Sequence, residues 1–339
     1  MQNRLSAAEF LSERTDRVIL DVRSPSEYAQ GNIPNAHNFP LFSDEERALV
    51  GTQYKQLGKE EALALGLRFA GPKMEQFVRQ ANLLAPRRKL GVHCWRGGQR
   101  SGSMAWLFQQ AGFDVVTLEG GYKSYRHHVL ESLENTELNL WVLGGRTGTG
   151  KTKILHALSE FGEQIIDLEA LAHHKGSAFG FIGEAPQPSV EQFENDLFEN
   201  TLSLQPLRRV WIENESRSIG RIYIPPGLFS KIRSDPLVNI EIPDEARIEN
   251  LLADYVLSDR GELETAFQKI GSKLGGQHLK TALEALQQGD YAAAARIALV
   301  YYDKTYQHGL DTRLSSDIRL LTFEHGDAVD IAKALTQLV

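Results

Sequence analysis

Eight consecutive residues constrain this chain more than any others. Gly145-Arg146-Thr147-Gly148-Thr149-Gly150-Lys151-Thr152 follows the pattern G-x-x-x-x-G-K-[ST], with the apolar run Leu140-Trp141-Val142-Leu143 before it and a helix-period stretch after it. A strand, a glycine loop and a helix in that order aim backbone N–H groups at one point, where a diphosphate binds. The amides of residues 146–152 are expected to surround it, Lys151 to neutralise it, and the Thr152 hydroxyl to be available to a Mg²⁺ ion. The motif reads a diphosphate and leaves open what is attached to it, so ATP hydrolysis does not follow.

Around this loop the pattern predicts an α/β domain from residue 135 to residue 339. Short apolar runs at Leu138–Leu143, Ile165–Asp167, Val210–Glu213, Val238–Ile242 and Ile318–Phe323 read as buried parallel strands. From about 243 to 306 the pattern changes to successive helices rich in Leu and Ala, a helical subdomain. Its Arg247, Arg260, Lys269, Lys273 and Lys280 suit a nucleic-acid platform, and the same helices equally suit a lid. Glu213 and Glu215 follow one strand and Asp167 ends another, so each is a candidate for a metal-positioning acid. Each also has an ordinary reading, as a helix cap or a solvated loop residue.

Residues 1–134 give a second α/β pattern. Strands are expected at Val18–Val22, Leu90–His93 and Val115–Leu118, with a helix over Ser101–Ala111. Between strand and helix lies His93-Cys94-Trp95-Arg96-Gly97-Gly98-Gln99-Arg100-Ser101. Cys94 is the sole cysteine of 339 residues, which excludes an intramolecular disulfide. A thiol at the mouth of a glycine loop, facing a helix N-terminus and flanked by Arg96 and Arg100, favours its thiolate and so a nucleophile. Gly97 and Gly98 let the backbone curl toward the sulfur. His-Cys-x5-Arg-Ser serves chalcogen transfer and phosphate hydrolysis alike, and the loop alone does not separate the two.

A formal net charge of −7 excludes a global attraction to nucleic acid or to anionic membrane, so either partner would need a local patch. Without a basic n-region and apolar h-region, and without a long apolar run, the chain is expected to be cytoplasmic with no membrane partner.

Asp21-Val22-Arg23-Ser24-Pro25-Ser26-Glu27-Tyr28 and Gly31-Asn32-Ile33-Pro34, taken with the Cys94 loop, resemble the rhodanese family. The resemblance implies a rhodanese-like parallel-sheet domain in which Cys94 receives a chalcogen atom and Asp21 and Arg23 tie the loop in place, ahead of a P-loop NTPase-like domain. The order of the two domains, with Cys94–Ser101, Gly144–Thr152 and Glu213–Arg221, is similar to the bacterial tRNA 2-selenouridine synthase family. That resemblance implies a transferase acting on wobble 2-thiouridine in the anticodon loop of tRNAs for Lys, Glu and Gln. Its co-substrates would be geranyl diphosphate for S-geranylation and selenophosphate for selenation, with no tightly bound cofactor, Mg²⁺ as an option and a selenophosphate-supplying enzyme as a partner. An apolar pocket for the geranyl chain is required, and no segment of the sequence locates it. Trp95 could stack on the exposed base. Two rivals remain: a Cys-dependent phosphatase with a nucleotide-binding domain, and a persulfide carrier that never touches RNA.

Overall fold

The structure, a computed structural model, describes residues 3–255, 258–314 and 317–338. Two compact units divide the chain, Met1–Ser132 and Leu133–Val339.

In the first unit the elements run β1 (Asn3–Leu5), α1 (Ala7–Glu13), β2 (Val18–Asp21), α2 (Pro25–Gln30) and β3 (His37–Asn38). They continue with α3 (Asp44–Leu57), α4 (Lys59–Ala70), α5 (Met74–Leu84), β4 (Lys89–His93), α6 (Gln99–Gln110), β5 (Asp114–Leu118) and α7 (Gly121–Glu134). The strands form one parallel sheet in the order β1-β5-β4-β2-β3. Parallel strands are covered on both faces, which is why β2 and β4 read as unbroken apolar runs rather than alternating ones. Leu20, Leu90, Val92, Met104 and Phe108 make the core between β4 and α6. Three helices between residues 44 and 84 had no counterpart in the sequence reading. The first is started by a capping box in which Ser43 and Glu46 satisfy each other's backbone amides.

In the second unit β6 (Asn139–Gly145), α8 (Lys151–Glu160), β7 (Gln164–Ile166), α9 (Leu168–Ala172), α10 (Val190–Leu202) and β8 (Arg209–Glu213) come first. A short antiparallel ribbon, β9 (Ser218–Ile219) and β10 (Ile222–Tyr223), precedes α11 (Pro226–Ser234) and β11 (Leu237–Glu241). Four helices follow: α12 (Asp244–Tyr255), α13 (Arg260–Leu274), α14 (Gly276–Gln287) and α15 (Tyr291–Asp311). β12 (Ile318–Thr322) and α16 (Ala328–Thr336) close the unit. Its sheet is parallel, in the order β12-β11-β6-β8-β7, so β6 is central and delivers its C-terminal loop to the middle of one sheet edge. The helical subdomain extends through α15 to Asp311, beyond the expected end near residue 306. Among the described residues no helix is long and apolar enough to cross a membrane.

Candidate active site

The thiol loop is held by the start of another helix. α7 begins with backbone amides that lack partners inside the helix, and two of them donate to the loop: Tyr122 N to Cys94 O at 2.8 Å and Lys123 N to Trp95 O at 3.0 Å. The approach is so close that a β-carbon on Gly121 would stand 2.3 Å from both Cys94 O and Gly97 N, and Gly121 itself has φ +63°. No other residue fits there. Cys94 is 3% exposed, with Sγ 3.2 Å from the Ser101 hydroxyl at the start of α6.

Beneath the loop lies a fully buried ion pair. Arg23 Nη2 donates to Asp21 Oδ2 at 2.6 Å and to the Gly31 carbonyl at 2.7 Å, and both side chains are inaccessible to solvent. The guanidinium carbon sits 3.7 Å from the ring centre of Tyr122, a cation–π contact that links the pair to the helix holding the loop. Burial pushes the neighbouring His93 imidazole below its ordinary value, with Asp21 pulling it back. Arg100 is only partly free to serve the sulfur, because its Nη1 pairs with Glu27 Oε2 at 2.5 Å. Burial alone would raise Glu27; the Arg100 pair outweighs it and holds that carboxyl below its usual range. Arg96 is exposed on the same loop.

In the second unit, the glycine loop is clamped from the helical subdomain. Arg247, on α12 and 1% exposed, donates from Nε to Thr147 O at 2.9 Å and from Nη1 to Asp303 of α15 at 3.0 Å. Asn250 Nδ2 donates to Gly148 O at 3.0 Å. The Tyr306 hydroxyl accepts from Gly145 N at 2.7 Å and donates to Asn239 Oδ1. Gly148 has φ +85°, and a β-carbon there would meet the Arg247 carbonyl at 2.6 Å. The loop is therefore shaped before any ligand arrives, the condition for electrostatic catalysis without reorganisation.

Lys151 Nζ donates to Gly145 O at 3.1 Å, and the Thr152 hydroxyl donates to Glu169 Oε2 at 2.7 Å. Glu215 joins Glu169: carboxylate oxygens of both lie within 3 Å of the point where a Gly176 β-carbon would stand. Burial, then the charge of Glu169, pushes Glu215 up to about 7, against the pull of Lys151. Burial likewise raises Glu169, with Lys151 and the Thr152 hydroxyl opposing it. These groups line one end of a cavity of about 1120 Å³ that extends into the helical subdomain.

Residues 138–337 match the family described as the tRNA 2-selenouridine synthase AAA domain, and residues 6–128 match the rhodanese-like domain. The chain is 35% identical over 351 residues to the tRNA 2-selenouridine synthase of Bordetella bronchiseptica, covering 93% of this chain and 94% of that one. To the same-named protein of Sulfurovum it is 33% identical over 332 residues, covering 88% and 90%. To that of Nitrosomonas europaea it is 37% identical over 250 residues, 72% of this chain and 64% of the relative, a little under two thirds of its length. The chain belongs to the tRNA 2-selenouridine synthase family.

In this member of the tRNA 2-selenouridine synthase family, the structure sorts the candidate residues into distinct roles. Cys94, Arg96, Gly97, Gly98 and Arg100 share one loop, with Asp21 and Arg23 buried below it as a tether. Gly145 to Thr152 form the second loop, but the carboxylates divide. Glu215 reaches the cavity. Glu213 is fully buried and its Oε2 accepts from Leu168 N at 3.0 Å, which pins the start of α9. Burial, with Asp167 and Glu169 nearby, raises its carboxyl well above the usual range. Asp167 lines the cavity yet spends one oxygen capping α9 and the other on His156. Arg247, read above as part of a basic platform, is unavailable to RNA because it is the buried clamp of the phosphate loop. Lys269 and Lys273 are exposed and stand at the cavity. Four residues that contact these loops were not read as such from the sequence: Glu27, Gly121, Glu169 and Tyr306. The Gly120-Gly121 pair directly after β5 was the one usable signal among them, since two glycines at a strand end mark a close backbone approach.

Proposed function

We propose that this chain converts wobble 2-thiouridine to 2-selenouridine in tRNA in two stages divided between its loops. In the first, the sulfur of the thiouridine attacks C1 of geranyl diphosphate; the S–C bond forms, the C1–O bond breaks, and diphosphate leaves with the electron pair. Lys151 and the amides of residues 146–152 stabilise that leaving group. In the second, at the Cys94 loop, the selenium of selenophosphate attacks C2 and the C2–Se bond forms; geranylthiolate leaves with the electron pair of the C2–S bond, and water takes the phosphoryl group as the Se–P bond breaks, releasing phosphate. Alkylation comes first because a thioether-type sulfur leaves more readily than a thiocarbonyl sulfur. The substrates are the tRNAs for Lys, Glu and Gln, whose anticodon loop exposes the base edge without unpairing a duplex.

The observation that carries the reading is the preshaped phosphate loop in a member of this family, opening on a cavity far larger than a diphosphate needs. Hard oxygen donors suit Mg²⁺, and the Thr152 hydroxyl beside the Glu169 carboxylate supplies two; among the described residues no group of three or more His, Cys, Asp or Glu is arranged to hold a metal unaided. An ion bound with the diphosphate would be held by Thr152 and Glu169 and would neutralise charge on the leaving group. Mass spectrometry of nucleosides from tRNA incubated with the protein, geranyl diphosphate and selenophosphate, each omitted in turn, tests the scheme. S-geranyl-2-thiouridine is expected without selenophosphate and 2-selenouridine with both. Unchanged 2-thiouridine in every mixture would sink it.

A further inference from the structure

The cavity at the phosphate loop has two chemically different ends. At one end stand Lys151, Thr152, Glu169 and Glu215; at the other, carbon surface from Phe179, Phe267, Ile270, Leu286, Ala294 and Ala298. The same side chains belong to the hydrophobic cluster of the helical subdomain, so the apolar end is walled by that core. Helix α15 joins the two ends. Its cavity-lining residues recur at helical spacing from Tyr306, which bonds the first residue of the phosphate loop, back through Ala298 and Ala294 to Tyr291. From Tyr306 to Ala298 the helix rises about 12 Å. At the far end of that stretch and just past it, Ala298, Ala295 and Ala294 line the cavity, where larger side chains would narrow it.

The walls also say what the guest is not. A nucleoside would bring ribose hydroxyls and base nitrogens that need partners when buried. Of the phenols on this side, two are engaged internally: Tyr302 Oη accepts from Ala178 N at 3.1 Å, and Tyr255 bonds to the Ser177 side chain. A hydrocarbon tail asks for no hydrogen bonds. Nor does the total volume, about 1120 Å³, suit a bare anion, since roughly 300–1,000 Å³ already accommodates a drug-sized ligand.

We propose that the apolar chamber between α13, α14 and α15 holds the hydrocarbon chain of a prenyl diphosphate whose diphosphate rests on Gly145–Thr152, and that Ala294 and Ala298 set the chain length accepted. The proposal rests on the prenyl-transfer reading above and adds to it where the chain lies and what measures it.

The test is binding to the full chain without tRNA, using inorganic diphosphate, dimethylallyl diphosphate, geranyl diphosphate, farnesyl diphosphate and ATP. Geranyl diphosphate is expected to bind about 100-fold more tightly than inorganic diphosphate, because the buried methyl and methylene groups add affinity that the anion alone lacks. Ala298→Phe and Ala294→Phe should each cut the affinity for geranyl diphosphate at least about tenfold, while leaving inorganic diphosphate within about twofold. If either variant loses inorganic diphosphate as well, the enlarging change Leu286→Ala decides: it should raise the affinity for farnesyl relative to geranyl diphosphate. Equal binding of geranyl and inorganic diphosphate by the unmodified chain, ATP binding that outcompetes geranyl diphosphate, or an unmoved farnesyl-to-geranyl ratio in Leu286→Ala would each overturn the assignment. The two readings fail separately. Chain-length-dependent binding without any alkylation of tRNA would keep the chamber and remove the transfer reaction. Alkylation whose chain preference ignores all three substitutions would keep the reaction and remove the chamber.

Discussion

The thiol loop and the carboxylate end of the cavity treat buried charge in opposite ways. Below and beside the thiol, buried and half-buried charges meet their complements: Arg23 with Asp21, Arg100 with Glu27. In the second, Glu169 and Glu215 gather beside Lys151, with Glu213 close behind, so the acids outnumber the lysine they face. Matched pairs fix a geometry. Burial and crowded like charges push carboxyls up, Glu215 to about 7, so the second site changes its charge near neutral pH. The first arrangement makes a rigid seat for one atom, and the second makes a basin whose field depends on what enters it.

The comparison breaks most sharply if the two loops prove to do one job. Cys94→Ala is expected to abolish selenium incorporation, a loss of 10³-fold or more for a nucleophile, while geranylated tRNA accumulates. Lys151→Ala should do the reverse, cutting geranylation by about 10²-fold or more, yet leave selenation of pre-geranylated tRNA intact. Nucleoside mass spectrometry on both variants reads the outcome, and loss of both products in either variant would merge the sites.

Next in size is the matched pair itself. Arg23→Met leaves Asp21 buried without its partner, and such a change costs about 3–5 kcal/mol. Denaturant unfolding should show the first unit melting early while the transition of the second is unmoved. A single, equally shifted transition would mean the units do not unfold independently.

The smallest effect tests the crowded site. Glu215 titrates at about 7, above the ordinary carboxyl value, so in the folded chain it is protonated below that pH and charged above it. Its raised value contributes stability that is present below the ordinary carboxyl range and is lost as pH rises through about 7. The affinity for inorganic diphosphate should fall several-fold between pH 6 and pH 8, roughly what one added charge at short range imposes. Glu215→Gln should flatten that dependence. An unchanged slope in the variant would assign the titration to another group.

How much of this was legible beforehand follows from how local each feature is. The phosphate loop and the thiol loop are contiguous, and their glycines announce the backbone geometry, so both stood out in the bare sequence. The parallel strands did too, because buried strands are continuous apolar runs. What pairs across the chain did not. Arg100 and Glu27 are 73 positions apart, and Arg247 reaches Thr147 over 100. Nothing near Arg247 distinguishes a buried clamp from the exposed basic face that its composition suggests. Glu169 acquires its meaning only when α9 folds back against α8. The chamber was the least legible of all, since the Leu and Ala pattern of α13 to α15 is what any helical bundle would show, whether solid or hollow.

One contact described above carries a mechanical consequence. The Tyr306 hydroxyl that receives the Gly145 amide belongs to the same continuous helix that walls the chamber. On the proposed reading, the helix that measures the tail is also the one that holds the first amide of the loop gripping the head, so sizing and gripping share a single structural part.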